Sequence, residues 1–137
     1  MARLAKEPRR FLRAGANRLK EAQFLLRHSA YTTAAVYLAG YAVECTFKAL
    51  ILANEPVARH AATMNSFRGI RGHNFEWLHE PLDKRRVHLP AAMTKELARV
   101  NGWRTDLRYD TITYKRAEAE RFVEAAEKLI EWMRERF

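Results

Sequence analysis

The chain has 137 residues, with 25 Lys or Arg against 16 Asp or Glu, for a formal charge of +9. A composition that is 48% apolar and 30% charged is that of a folded domain and not a disordered tail, and the length suits one domain over 1–137. Five glycines and four prolines are too few for a many-stranded β protein, and one cysteine, Cys45, excludes an intramolecular disulfide framework and a Cys-based zinc cluster.

The first segment, 8–29, opens with Pro8, a residue favoured in a first helical turn. Leu12, Gly15, Leu19, Ala22 and Leu26 then recur at three- and four-residue steps, which predicts a helix with one apolar stripe. The second segment, 31–53, is apolar nearly all round, so it is expected at the centre of a bundle. Its two charges, Glu44 and Lys48, are four residues apart with the acid first, the orientation that pairs along a helix face. Exposed, such a pair contributes a few tenths of a kcal/mol; buried, each charge needs partners. Gly40 and the surrounding alanines permit close approach by another helix, within the bundle or from a second subunit.

Residues 54–73 read as a mobile connection with a short helical turn near 57–63. A short helix follows over 74–84, with Asn74 as its cap and Pro81 limiting its length. Pro90, Met93, Leu97 and Val100 predict a further helix over 90–101. Residues 103–114 read as an ordered loop. The last helix, about 115–136, presents Ala119, Phe122, Ala126, Leu129, Ile130 and Met133 on one face. The expected fold is all-α: an up-and-down bundle of four or five helices, three of them long.

The excess charge is uneven. Residues 1–28 hold eight basic and two acidic side chains, residues 54–110 ten and seven, and residues 115–137 six of each. Such a surface attracts a polyanion such as RNA, and the same charges also serve as a solvated face. No glycine-rich phosphate loop is present. The scattered cations of the first segment do not form a signal peptide, and the apolar stretch 34–43 ends at Glu44, short of the roughly 20 residues of a bilayer span. A cytoplasmic protein without membrane attachment is expected. The histidines (His28, His60, His73, His79, His88) show no His-x-x-x-His spacing, so neither a metal nor a cofactor is expected.

Two constellations could carry chemistry. In RGIRGH, Arg68 and His73 are separated by four residues. A histidine near neutrality can take the proton of a ribose 2′-hydroxyl while an arginine neutralises the phosphate, the parts of a metal-independent ribonuclease. The structural alternative is that His73, at a loop-to-helix junction, bonds a neighbouring carbonyl or carboxylate. In WRTDLRYD, 103–110, Trp103, Arg104, Arg108 and Tyr109 could stack on and clamp a nucleotide, or lock a loop to the bundle through Asp106 and Asp110. Cys45, in the most apolar helix, reads as an inert buried thiol.

The run AVYLAGYAVECTFKALI (35–51), then GHNFEWL (72–78), LRYD (107–110) and an alanine-rich final helix of mixed charge resembles the HEPN domain of prokaryotic proteins, in its small stand-alone form. The resemblance covers nearly the whole chain. It implies a helical bundle that dimerises and binds nucleotide or RNA. It also implies a small nucleotidyltransferase as protein partner, in toxin–antitoxin or defence systems. Glu44, Lys48, His73, Arg108 and Tyr109 match recurring family positions. Many members are ribonucleases that use an arginine followed a few residues later by a histidine near a late helix. Here the late stretch is WRTDLRYD, without histidine, and the Arg68–His73 pair lies in an earlier loop. Three functions therefore follow as expectations: a nucleotide- or RNA-binding dimer, a ribonuclease using Arg68 and His73, or a non-catalytic interaction module.

Overall fold

The computed structural model describes residues 3–111 and 113–137. The apolar stripe of the first segment forms α1, Lys6–His28, with Pro8 buried in its first turn. A three-residue connection leads to α2, Thr32–Ala53. Because α2 is apolar nearly all round, it is covered on several sides: α1, α4 (Phe75–Lys84), α6 (Arg116–Arg134) and the 103–109 region all pack on it. Ala39, Val43, Phe47, Leu50 and Ile51 are fully buried, each of the larger ones contributing about 1.5–3 kcal/mol relative to exposure. A window of α2 has mean hydropathy 1.4, enough for a membrane span, yet 78% of that window is buried inside the fold, as befits a core helix.

Six α-helices are present, more than the four or five expected, and no strand occurs among the described residues. The additional helix arises in 54–73, where a mobile connection with a short helical turn near 57–63 is expected. That segment carries a 3-10 turn at Val57–Arg59 and α3 at His60–Ser66, more helix than expected, and a second 3-10 turn at Ile70–His73. The ordering contacts come from side chains. His60 is buried and its Nε2 reaches the carbonyls of Leu52 (2.8 Å) and Glu55 (3.0 Å), closing the end of α2. Phe67 packs into the core at 7% exposure.

Asn74 caps α4, its side chain accepting from the Trp77 N–H at 3.0 Å. Pro81 lies inside α4 rather than at its end, and the helix runs on to Lys84. Burial of Leu78 and Leu82 offsets the missing N–H, and Arg85 donates back to the Pro81 carbonyl. Pro90 precedes α5, Ala91–Val100, which packs on α6. The expected loop 103–114 holds a 3-10 turn at Thr105–Tyr109; Ile112 lies outside the described residues. Arg116, at the start of α6, donates to the Leu26 and Ser29 carbonyls and ties α6 to the end of α1.

Candidate functional site

Along α2, Tyr37, Tyr41, Glu44 and Lys48 follow one another at steps of four, three and four residues, which places all four on one helix face. This is a polar stripe on an otherwise apolar helix. His73 comes to it from the 3-10 turn Ile70–His73. That turn sits close because Gly72 presses on the backbone of Phe67: a β-carbon there would fall 1.7 Å from the Phe67 carbonyl oxygen.

The Glu44 carboxylate holds two partners at once. His73 Nδ1 lies 2.7 Å from Oε1, and Lys48 Nζ donates to Oε2 at 2.8 Å. The Glu44 side chain is 5% exposed, Lys48 8% and His73 37%. The remainder of the Lys48 ammonium faces the rings of Phe67 (5.4 Å) and Phe11 (6.0 Å). An ionised carboxylate only accepts hydrogen bonds, so the Nδ1 proton points at Glu44 and neutral His73 carries its lone pair on Nε2. The half-exposed ring thus has one nitrogen fixed from below and one left for a ligand.

Aromatic rings frame the pair. Tyr41 meets His73 edge-on at 6.3 Å and Trp103 edge-on at 5.0 Å. Its hydroxyl bonds that of Tyr37 at 3.3 Å. Burial first, then Tyr37 and the charge of Glu44, push the Tyr41 hydroxyl well above the usual phenol range, so it stays protonated. Trp103 stacks on Phe75 at 5.4 Å and donates to the Tyr37 carbonyl at 3.2 Å. The exposed Arg108 lies near the hydroxyls of Tyr37 and Tyr109, which favour its charged form and hold its guanidinium above its usual range.

The sequence-predicted residues thus separate into two groups. Glu44, Lys48 and His73 come together, and Arg108 reaches their edge through Tyr37. Glu44 and Lys48 are buried beneath His73, so their contact with a ligand passes through that ring. Arg68 is exposed on the loop before Gly69, and no hydrogen bond or ion pair joins it to His73 among the described residues. Arg104 pairs with Asp106 at 3.2 Å on the surface, and Tyr109 is 72% exposed beneath the Arg108 guanidinium. In 103–110 it is Trp103 and Leu107, both 4% exposed, that lock the loop. Tyr37 and Tyr41 join the site through the helical spacing they share with Glu44 and Lys48, a signal present in the sequence.

Cys45 borders this stripe. Burial, and then the charge of Glu44, raise its thiol from about 9 to about 11. The thiolate forms as pH rises toward the higher value, so at neutral pH it is roughly 100-fold scarcer than for an unperturbed thiol. Cys45 is partly buried, less than its place in the most apolar helix suggests. Alkylation by iodoacetamide at pH 7.5 is expected to be slower than for unfolded protein by up to about 100-fold, and equal rates would contradict the raised pKa. No group of three His, Cys, Asp or Glu side chains suited to a metal ion occurs among the described residues.

The HEPN domain model matches residues 8–136. The chain belongs to the HEPN family. A solved structure, that of TT1696 from Thermus thermophilus, is similar to this HEPN chain with a TM-score of 0.72 and 22% identity, covering 97% of this chain and 100% of that one. At that identity the likeness speaks to the fold. No curated protein matches the sequence.

Proposed function

We propose that this HEPN domain binds a nucleotide or RNA at the face formed by His73, Tyr41 and Arg108. The carrying observation is the Glu44–His73 contact of 2.7 Å, which fixes a half-exposed imidazole with its second nitrogen free. Arg108 supplies a fixed positive charge beside it, and the net charge of +9 supplies long-range attraction for a polyanion. Homodimer formation and a small nucleotidyltransferase partner, in a toxin–antitoxin or defence setting, belong to the same proposal and rest on the family resemblance. Fluorescence anisotropy with short RNAs and with nucleotides, repeated across salt, tests it. Binding is expected at low salt, weakening steeply as salt rises. No binding of either ligand class at low salt would remove the proposal.

The same contact supports a second reading, a metal-independent endoribonuclease. His73 Nε2 takes the proton of a 2′-hydroxyl, the 2′-oxygen attacks the adjacent phosphorus, and the 5′-oxygen leaves with a proton from water. Arg68, on its exposed loop, neutralises the charge developing on a bound phosphate. Cleavage in EDTA is expected to fall by roughly 10²–10⁴-fold in His73→Ala and by a smaller factor in Arg68→Ala. Cleavage unchanged in His73→Ala would assign the activity elsewhere and leave the binding proposal standing.

A further inference from the structure

Among the described residues, Arg86 is the one non-glycine residue with a left-handed backbone, φ 62°. The cause is the way α4 ends. The Val87 N–H bonds the Leu82 carbonyl and the Arg86 N–H bonds the Asp83 carbonyl, both at 3.0 Å, a closure that puts the intervening residue in the left-handed region. Glycine takes that position without strain, whereas a β-carbon crowds the following carbonyl. The Arg86 side chain is exposed, and no carboxylate pairs with it among the described residues. The nearest acid in sequence, Asp83, is already shared by His88 at 3.0 Å and His79 at 3.6 Å. The arginine therefore returns no local stability for its strain, and strain kept in this way points to a role outside the fold.

Its surroundings say which role. Arg86, Val87, His88 and Pro90 form one side of a groove of about 490 Å³, and Trp132 and Arg136 from the end of α6 form the other. The Arg136 guanidinium lies over the Trp132 ring at 3.6 Å and donates to the Trp132 carbonyl at 2.6 Å, which holds it in place. Its nearest acid, Glu135, is 76% exposed and 3.7 Å away. Two guanidiniums thus line one groove with Trp132, Arg86 unpaired among the described residues and Arg136 paired only with the exposed Glu135. Arginine forks match phosphate oxygens, and cationic grooves with aromatic walls follow single strands.

We propose that this groove is a phosphate-backbone site for single-stranded RNA, with Arg86 and Arg136 as its donors. The site deepens the RNA-binding reading above and rests on it. It lies at the far end of α4 from His73, about 15 Å away along the helix axis by the α-helical rise, and is a phosphate contact separate from the His73 face.

The test is anisotropy with a single-stranded 12-nucleotide RNA across salt, on the full chain, alongside thermal melts. Arg86→Gly is expected to bind roughly fivefold more weakly, with the log–log salt slope shallower by about 0.7, one phosphate contact on a single strand. Its Tm is expected to rise by roughly 3–5 °C as strain is relieved. Arg136→Gln is expected to show the same change in slope. Wild-type binding that is unchanged in affinity and slope by Arg86→Gly would overturn this site and leave the His73 face untouched. A lower Tm in Arg86→Gly would also overturn it, because the arginine would then be holding the fold. Loss of affinity for phosphatidylglycerol vesicles but not for RNA would assign the groove to a membrane surface and overturn it equally.

Discussion

Replacing Glu44 with alanine is expected to destabilise the domain by about 3–5 kcal/mol, measured by urea denaturation. The carboxylate is 5% exposed and accepts from Lys48 at 2.8 Å while meeting His73 at 2.7 Å. Removing it leaves the Lys48 ammonium, 8% exposed, among the Phe11 and Phe67 rings with no counter-charge. Aromatic faces attract a desolvated cation by about 2 kcal/mol, less than the loss of its buried carboxylate partner. The paired change Glu44→Leu with Lys48→Met is expected to recover most of the loss, since an apolar pair of similar volume removes both desolvation costs. A single-variant cost below about 1 kcal/mol would show that the pair is not buried as described. The functional consequence is separate. With Glu44 gone His73 loses its orienting partner, so RNA binding at the His73 face is expected to weaken even in the stabilised double variant.

Gly40→Ala is expected to cost about 3 kcal/mol, the upper end of the usual cost of forcing a methyl into a filled core. A β-carbon on residue 40 would sit 2.0 Å from Trp103 Nε1 and 2.2 Å from two further indole atoms. The ring cannot slide aside, because it is stacked on Phe75 and is 4% exposed. The small-residue character of α2 invites approach by a helix or a second subunit. At Gly40 the approaching group is an indole of the same chain. A double-mutant cycle separates this from a defect in α2 itself: with Trp103→Ala already present, adding Gly40→Ala is expected to cost little. A full cost in that background would contradict the assignment.

These two variants concern contacts that differ in how far the sequence foreshadows them. The Glu44–Lys48 spacing is local, four residues along one helix, and it is legible from residue order alone. So is the apolar stripe of α1, the all-round apolar surface of α2 and the Asn74 cap. The partner of Glu44 on its other oxygen is His73, 29 residues away, and no local pattern announces it. Of the two readings of His73, the structural one is seen in the fold, a ring bonded to a carboxylate; its use as a base belongs to the proposal. Arg68, linked to His73 by spacing alone, makes no hydrogen bond or ion pair with it among the described residues.

What the residues determined unaided is the helical class, the approximate position of each long helix, the central place of α2 and the cationic surplus. Each follows from periodicity or composition, quantities that neighbours along the chain set by themselves. Only the tertiary structure decided that the helical turn near 57–63 would extend to Ser66 and be followed by a second turn at Ile70–His73, that Trp103 would fill the space beside Gly40, and that the end of α4 would force Arg86 into a left-handed turn. Those outcomes depend on ångström-scale distances between elements far apart in sequence. Side-chain volume and a single carbonyl position decide them, and neither leaves a repeating trace in the chain.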